Sequence, residues 1–121
     1  MKRVEEFTQE GRSFVYIDLS NIKTAAELLE TTEEIKPIIA KYPPESLYTV
    51  TNIADFNVDS EKKDILTAYL SHNKPYVKFS AVIGMDGVKK IMTDLAFKIT
   101  GRPNILFAYS KDKAIELLME K

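Results

Sequence analysis

The run from Tyr76 to Gly87 constrains this chain most. Val77, Phe79, Ala81, Val82 and Ile83 form an apolar, largely β-branched and aromatic stretch that ends at Gly84. Gly84-Met85-Asp86-Gly87 reads as a turn, and from Val88 the apolar residues switch to helical spacing. Strand, tight turn and helix make half of a βαβ unit, which sets the class as α/β. The run does not set a function. A turn with two glycines serves many sites and is often only a turn.

The remaining segments extend the pattern. Val4 and Phe7 alternate weakly, Gln9-Glu10-Gly11-Arg12 reads as a hairpin turn, and Phe14 to Leu19 as a strand. Thr24 with Glu27 forms a capping box ahead of Leu28, Leu29, Thr32, Ile35 and Ile39 at helical spacing. Pro37 falls inside that helix and predicts a kink or break between Glu33 and Pro37. Residues 47–53 form the next strand. Asp59 or Ser60 caps a helix carrying Ile65, Leu66, Tyr69 and Leu70, and Asn73-Lys74-Pro75 stops it. A third helix spans 88–100, with Gly101 as its C-terminal cap. A strand covers 105–109, and Ser110 caps a last helix. The order β-β-α-β-α-β-α-β-α predicts a single mixed, mostly parallel sheet of about five strands with four helices, in one domain over residues 1–121.

Composition removes several function classes. The chain has no Cys and one His, His72, so disulfides and cysteine nucleophiles are excluded and a zinc site lacks ligands. A net charge of −1, from 17 basic and 18 acidic residues, gives no broad field to attract nucleic acid or acidic membranes. No apolar run reaches the length of a membrane span. The start, Met1-Lys2-Arg3-Val4-Glu5-Glu6, runs into acids and does not read as a signal peptide, so the expected location is cytoplasmic.

In an open parallel sheet, ligands bind beyond the carboxyl ends of the strands. Those ends offer Asn52 and Asp55, and the turn holding Gly84, Asp86 and Gly87, as ligand-binding candidates. The turn is neither a Walker loop nor a dinucleotide fingerprint, and Asp86 at its mouth would repel an anion. No nucleophile elbow accompanies His72, no carboxylates pair at metal-ligand spacing, and no catalytic residue or cofactor is expected. A receiver domain would carry an acidic doublet after its first strand, whereas here Asp18 stands alone. Tyr42, Tyr48 and Tyr109 read as half-buried packing residues. Phe97 falls opposite the apolar stripe of its helix, beside Lys90 and Thr93. That trio is the candidate protein contact.

The order of elements, with Ser80-Ala81-Val82-Ile83-Gly84, Gly87, Gly101-Arg102 and Phe107, resembles the STAS-like, anti-sigma-factor-antagonist-like domains, in particular a poorly characterised bacterial branch. The resemblance implies a mixed sheet of about five strands with helices packed around it, and a regulatory or ligand-sensing role without catalysis. In phosphoregulated members a Ser or Thr opens the helix after the third strand. Here that place reads Asp59-Ser60-Glu61-Lys62, so Ser60 is the candidate phosphosite, and Glu61 would disfavour phosphate by like charge. The related CRAL-TRIO fold carries lipids, for which this chain is too short to wall off a cavity.

Three functional readings follow, the last of them an unrecognised enzyme. The first is a non-enzymatic regulatory module that acts through a protein partner or a homodimer contact, using the 88–100 helix or the loop and helix after Asp55. The second is a small-ligand-sensing domain that binds at the strand carboxyl ends.

Overall fold

A computed structural model of the chain describes residues 3–84, 94, 97–98, 101 and 104–121. Its first element is a hairpin set by turn chemistry. β1 (Val4–Gln9) pairs antiparallel with β2 (Arg12–Asp18), from Val4 opposite Ile17 to Gln9 opposite Arg12. Glu10 and Gly11 form the two-residue loop with φ of 51° and 80°. A type I′ turn needs positive φ at both central positions, and its twist matches that of the strands it joins.

From β2 onward the chain adds strands in sequence. β3 (Leu47–Asn52), β4 (Val77–Ile83) and β5 (Ile105–Phe107) pair parallel, giving one mixed sheet in the order β1-β2-β3-β4-β5. α1 (Ala25–Ala40) links β2 to β3 and α2 (Ser60–Asn73) links β3 to β4. α3 (Lys111–Leu118) follows β5. Right-handed crossovers that all step in one direction put their helices on one face. Accordingly, Leu28, Ile35 and Ile39 of α1 and Leu66 and Tyr69 of α2 share a core with Val15, Ile17 and Leu47. On the opposite face Ala114, Ile115 and Leu118 of α3 pack with Phe14, Tyr48, Val50 and Ala81. Burying one such Leu, Ile or Phe side chain contributes about 1.5–3 kcal/mol. Covering both faces is why the strands read as nearly continuous apolar runs.

Four sequence expectations change. Three helices have bounds within the described residues. The fourth expected helix, 88–100, falls mostly outside them, and Asp94, Phe97 and Lys98 are its described residues, all helical. α1 runs unbroken through Pro37. Pro37 lies in the last turn, where one lost bond of about 3 kcal/mol is outweighed by Thr32, Ile35 and Ile39 buried around it. Leu29 is 48% exposed instead of core, because Leu28, Thr31, Thr32, Ile35 and Ile39 form the buried stripe and Leu29 lies one residue off it. Tyr109 is 98% exposed, and β5 ends at Phe107 because the chain turns out toward the Ser110 cap of α3.

The caps are otherwise as the side chains dictate. Thr24 Oγ1 accepts from the Glu27 amide at 3.1 Å, while the Glu27 carboxylate reaches back to the Lys23 amide, one residue before the cap. Ser110 Oγ accepts from the Lys113 amide. Gly101, at φ 74°, donates its amide to the Phe97 carbonyl at 2.8 Å, a left-handed helix stop. Among the described residues no helix is long and apolar enough to cross a membrane.

Candidate functional site

The carboxyl rim of the sheet is occupied by its own side chains. Asp18 Oδ1 accepts from the Ser20 amide at 2.9 Å and from Ser20 Oγ at 2.5 Å. Arg3 donates to the carbonyls of Asp18 and Ser20. Asn52 Oδ1 accepts from the Ala54 amide at 3.0 Å and its Nδ2 donates to the Tyr16 hydroxyl at 3.3 Å. Gly84, at φ 71°, presses on the same turn. A β-carbon there would lie 2.7 Å from the Ala54 nitrogen and 2.8 Å from Asn52 Oδ1. The structure thus brings Asn52 and Gly84 together, but as two halves of one packed corner. Asp55 is exposed with φ 54°, its carbonyl 3.4 Å from Lys23 Nζ. Asp86, Gly87, Lys90 and Thr93 lie outside the described residues.

Asp59 is the N-cap of α2, its Oδ1 accepting from the Lys62 amide at 2.9 Å. That hydrogen bond, chiefly, holds its carboxyl below the ordinary value. The Lys62 side chain is buried, its ammonium 3.4 Å from Asp59 Oδ2. Ser60 is the first residue of α2 and is exposed. Phe97 is 54% exposed.

Sequence reasoning missed a cavity of about 70 Å³ on the helix-covered face, between α2 and β3–β5. By probe-sphere volume that is room for about five water-sized positions. Its walls are mainly apolar, with Leu66 and Leu70 of α2 facing Val82 and Ile105 of the sheet. Neither Asn52 nor Asp55 lines it. Among the described residues that line it, Lys74 is exposed.

Polar groups interrupt this apolar wall. Thr49 and Thr51 of β3 and Ser80 of β4 point to the helix-covered side, where a doubly covered sheet is expected to be apolar. Thr49 Oγ1 and Ser80 Oγ lie 2.8 Å apart. Whichever donates, the pair keeps one further hydroxyl proton. Tyr69, 3% exposed, also lines the cavity, and its hydroxyl is buried without a hydrogen-bond partner among the described residues. Burial pushes its pKa well above the ordinary tyrosine value. The Asn73 side chain, one helical turn on, holds that rise back in part, yet its geometry closes no hydrogen bond with the hydroxyl. Asn73 Oδ1 also lies 2.9 Å from His72 Nδ1 and accepts from it when that nitrogen carries the proton.

The signal for this site was in the sequence as Thr49, Thr51 and Ser80, three hydroxyls on strands otherwise built for a core. A second cleft, about 460 Å³ and open, runs between β1 and α1 along Glu27, Glu30 and Glu34. The three carboxylates share its walls with Val4, Ile35 and Ile38, and Arg3 reaches Glu27 at 3.7 Å. Among the described residues no group of three or more His, Asp or Glu is placed to hold a metal ion. Compared with protein-family models and with curated proteins, the chain matches none.

Proposed function

We propose that the protein is a non-enzymatic, STAS-like regulatory module that works in the cytoplasm by binding a small molecule in the cavity under α2. One observation carries this reading: Tyr69, 3% exposed, lines this cavity, and its buried hydroxyl has no hydrogen-bond partner among the described residues. A buried hydroxyl left unmade costs about 1–3 kcal/mol. Such a group is retained where something else completes it. The mixed five-stranded sheet is what the STAS-like resemblance implies. The ligand position differs from the carboxyl-rim site expected from the sequence, because Asn52, Ala54 and Gly84 fill that corner themselves.

A fragment screen followed by protein amide shifts tests the reading. Hits should perturb Leu66, Tyr69, Asn73, Ser80 and Val82 together. Hits confined to Asn52, Asp55 and Gly84, or none at all, would reject it.

A second reading, contact with a protein partner or a second copy, rests on Phe97 standing half in solvent at 54% exposure. The two readings are compatible, since a regulatory module needs an input and an output surface. Ser60, exposed at the start of the same helix that carries Tyr69, is the place where modification would act on α2.

A further inference from the structure

We propose that the cavity selects an uncharged molecule of about four heavy atoms, bearing a carbonyl or similar acceptor oxygen that takes a hydrogen bond from the Tyr69 hydroxyl. The inference rests on the ligand-binding reading above and adds the class of ligand.

Size comes first. About 70 Å³ is roughly half the apolar cavity that holds benzene. Polarity comes next. The wall holds one buried hydroxyl with no hydrogen-bond partner among the described residues, that of Tyr69, which stays protonated because burial disfavours its anion; the Thr49–Ser80 pair keeps a further hydroxyl proton. A bare hydrocarbon would leave the Tyr69 hydroxyl unmet. An acceptor oxygen meets it.

Charge decides between a neutral acceptor and an anion. Among the described residues the inner wall carries no charged side chain, and Lys74, the one lining cation among them, is exposed. An anion drawn inside would lose its hydration against neutral donors alone, which is costly. A carboxylate held at Lys74 would leave Tyr69 uncompleted.

Three probes of matched size separate these cases: acetone, isobutene and acetate. The first two differ only in C=O against C=CH2. Each is titrated into the labelled protein, reading the amide shifts of Tyr69, Asn73, Ser80 and Val82. Acetone should saturate these shifts, with isobutene and acetate at least about tenfold weaker, the ratio that one buried hydrogen bond supplies. In Tyr69→Phe, which keeps the ring, the preference for the ketone over the alkene should collapse to within about twofold. If the alkene or acetate binds wild type as tightly as the ketone, the proposed class is wrong while the cavity remains the binding site. If the preference survives in Tyr69→Phe, the assigned donor is wrong. If none of the three saturates these amides, the ligand-binding reading itself fails.

Discussion

Gly84 stands where a side chain cannot: its missing β-carbon would lie 2.7 Å from the backbone nitrogen of Ala54. The contact locks the end of β4 against the turn that follows β3. Backbone atoms cannot yield as the tip of a long side chain can, and φ of 71° adds strain for any L-residue. Gly84→Ala should therefore destabilise the fold by about 2 kcal/mol or more. Urea unfolding would measure it. A loss under about 0.5 kcal/mol would mean the corner is soft and the rim open to ligand after all.

Much of the fold was legible because burial leaves a period in the sequence. Phe14–Leu19 and Val77–Ile83 read as strands, and Glu10-Gly11 fixed the hairpin register. The cavity was harder for a definite reason. The pairing of β3 with β4 shifts register between Leu47 and Tyr48, so that Leu47 is opposite Val77 but Tyr48 is opposite Phe79. Lys78 is the extra residue, and it reverses the alternation of β4. Counting by twos from Val77 puts Ser80 on the far side. The bulge returns Ser80 and Val82 to the helix-covered face, beside Thr49. Pro37 failed as a breaker for the complementary reason, since local propensity gave way to burial on α1.

The Asp59 cap predicts an acid-side effect of known sign. Its carboxyl is held below the ordinary value of 3.8, mainly by the Lys62 amide hydrogen bond. A depressed pKa adds stability that is fully present above the unfolded value and lost as pH falls through the folded one. The window therefore lies at and below about pH 4. Asp59→Asn should keep the cap but fall below wild type near pH 7, because the buried Lys62 ammonium loses its carboxylate, and its loss in acid should be flatter. Asp59→Ala should be less stable than either near pH 7, because it loses the cap oxygen as well. Unfolding curves from pH 2 to 7 would check this. Equal acid slopes in wild type and Asp59→Asn would remove Asp59 as the cause.

Phe97 tests the output surface. At 54% exposure it fills no core space, so Phe97→Ala should leave stability within about 0.5 kcal/mol, the range of ordinary surface changes. If the ring anchors a contact, the same change should weaken self-association or partner capture by more than about 1 kcal/mol. Sedimentation over a concentration series decides the homodimer version. A wild type that stays monomeric throughout rules that version out. Marked unfolding of Phe97→Ala would instead place the ring in the core.

Tyr69→Phe should make the empty protein more stable. The ring keeps its contacts with the core it shares with Leu66 and Val77, so no cavity is added. What disappears is a buried hydroxyl with no partner among the described residues. The unfolded chain loses a water-bonded hydroxyl, whereas the folded one loses a desolvation penalty. The balance favours the variant by on the order of 1 kcal/mol, within the span for one unmade hydrogen bond. Urea unfolding at equal m-value would read it directly. With saturating ligand present the order should reverse, because only wild type gains the hydrogen bond and the linked stability of the bound state. A variant that is weaker by about 1 kcal/mol without ligand would show that the hydroxyl already has a partner inside the fold. The case for a binding site under α2 would then lose the observation on which it stands.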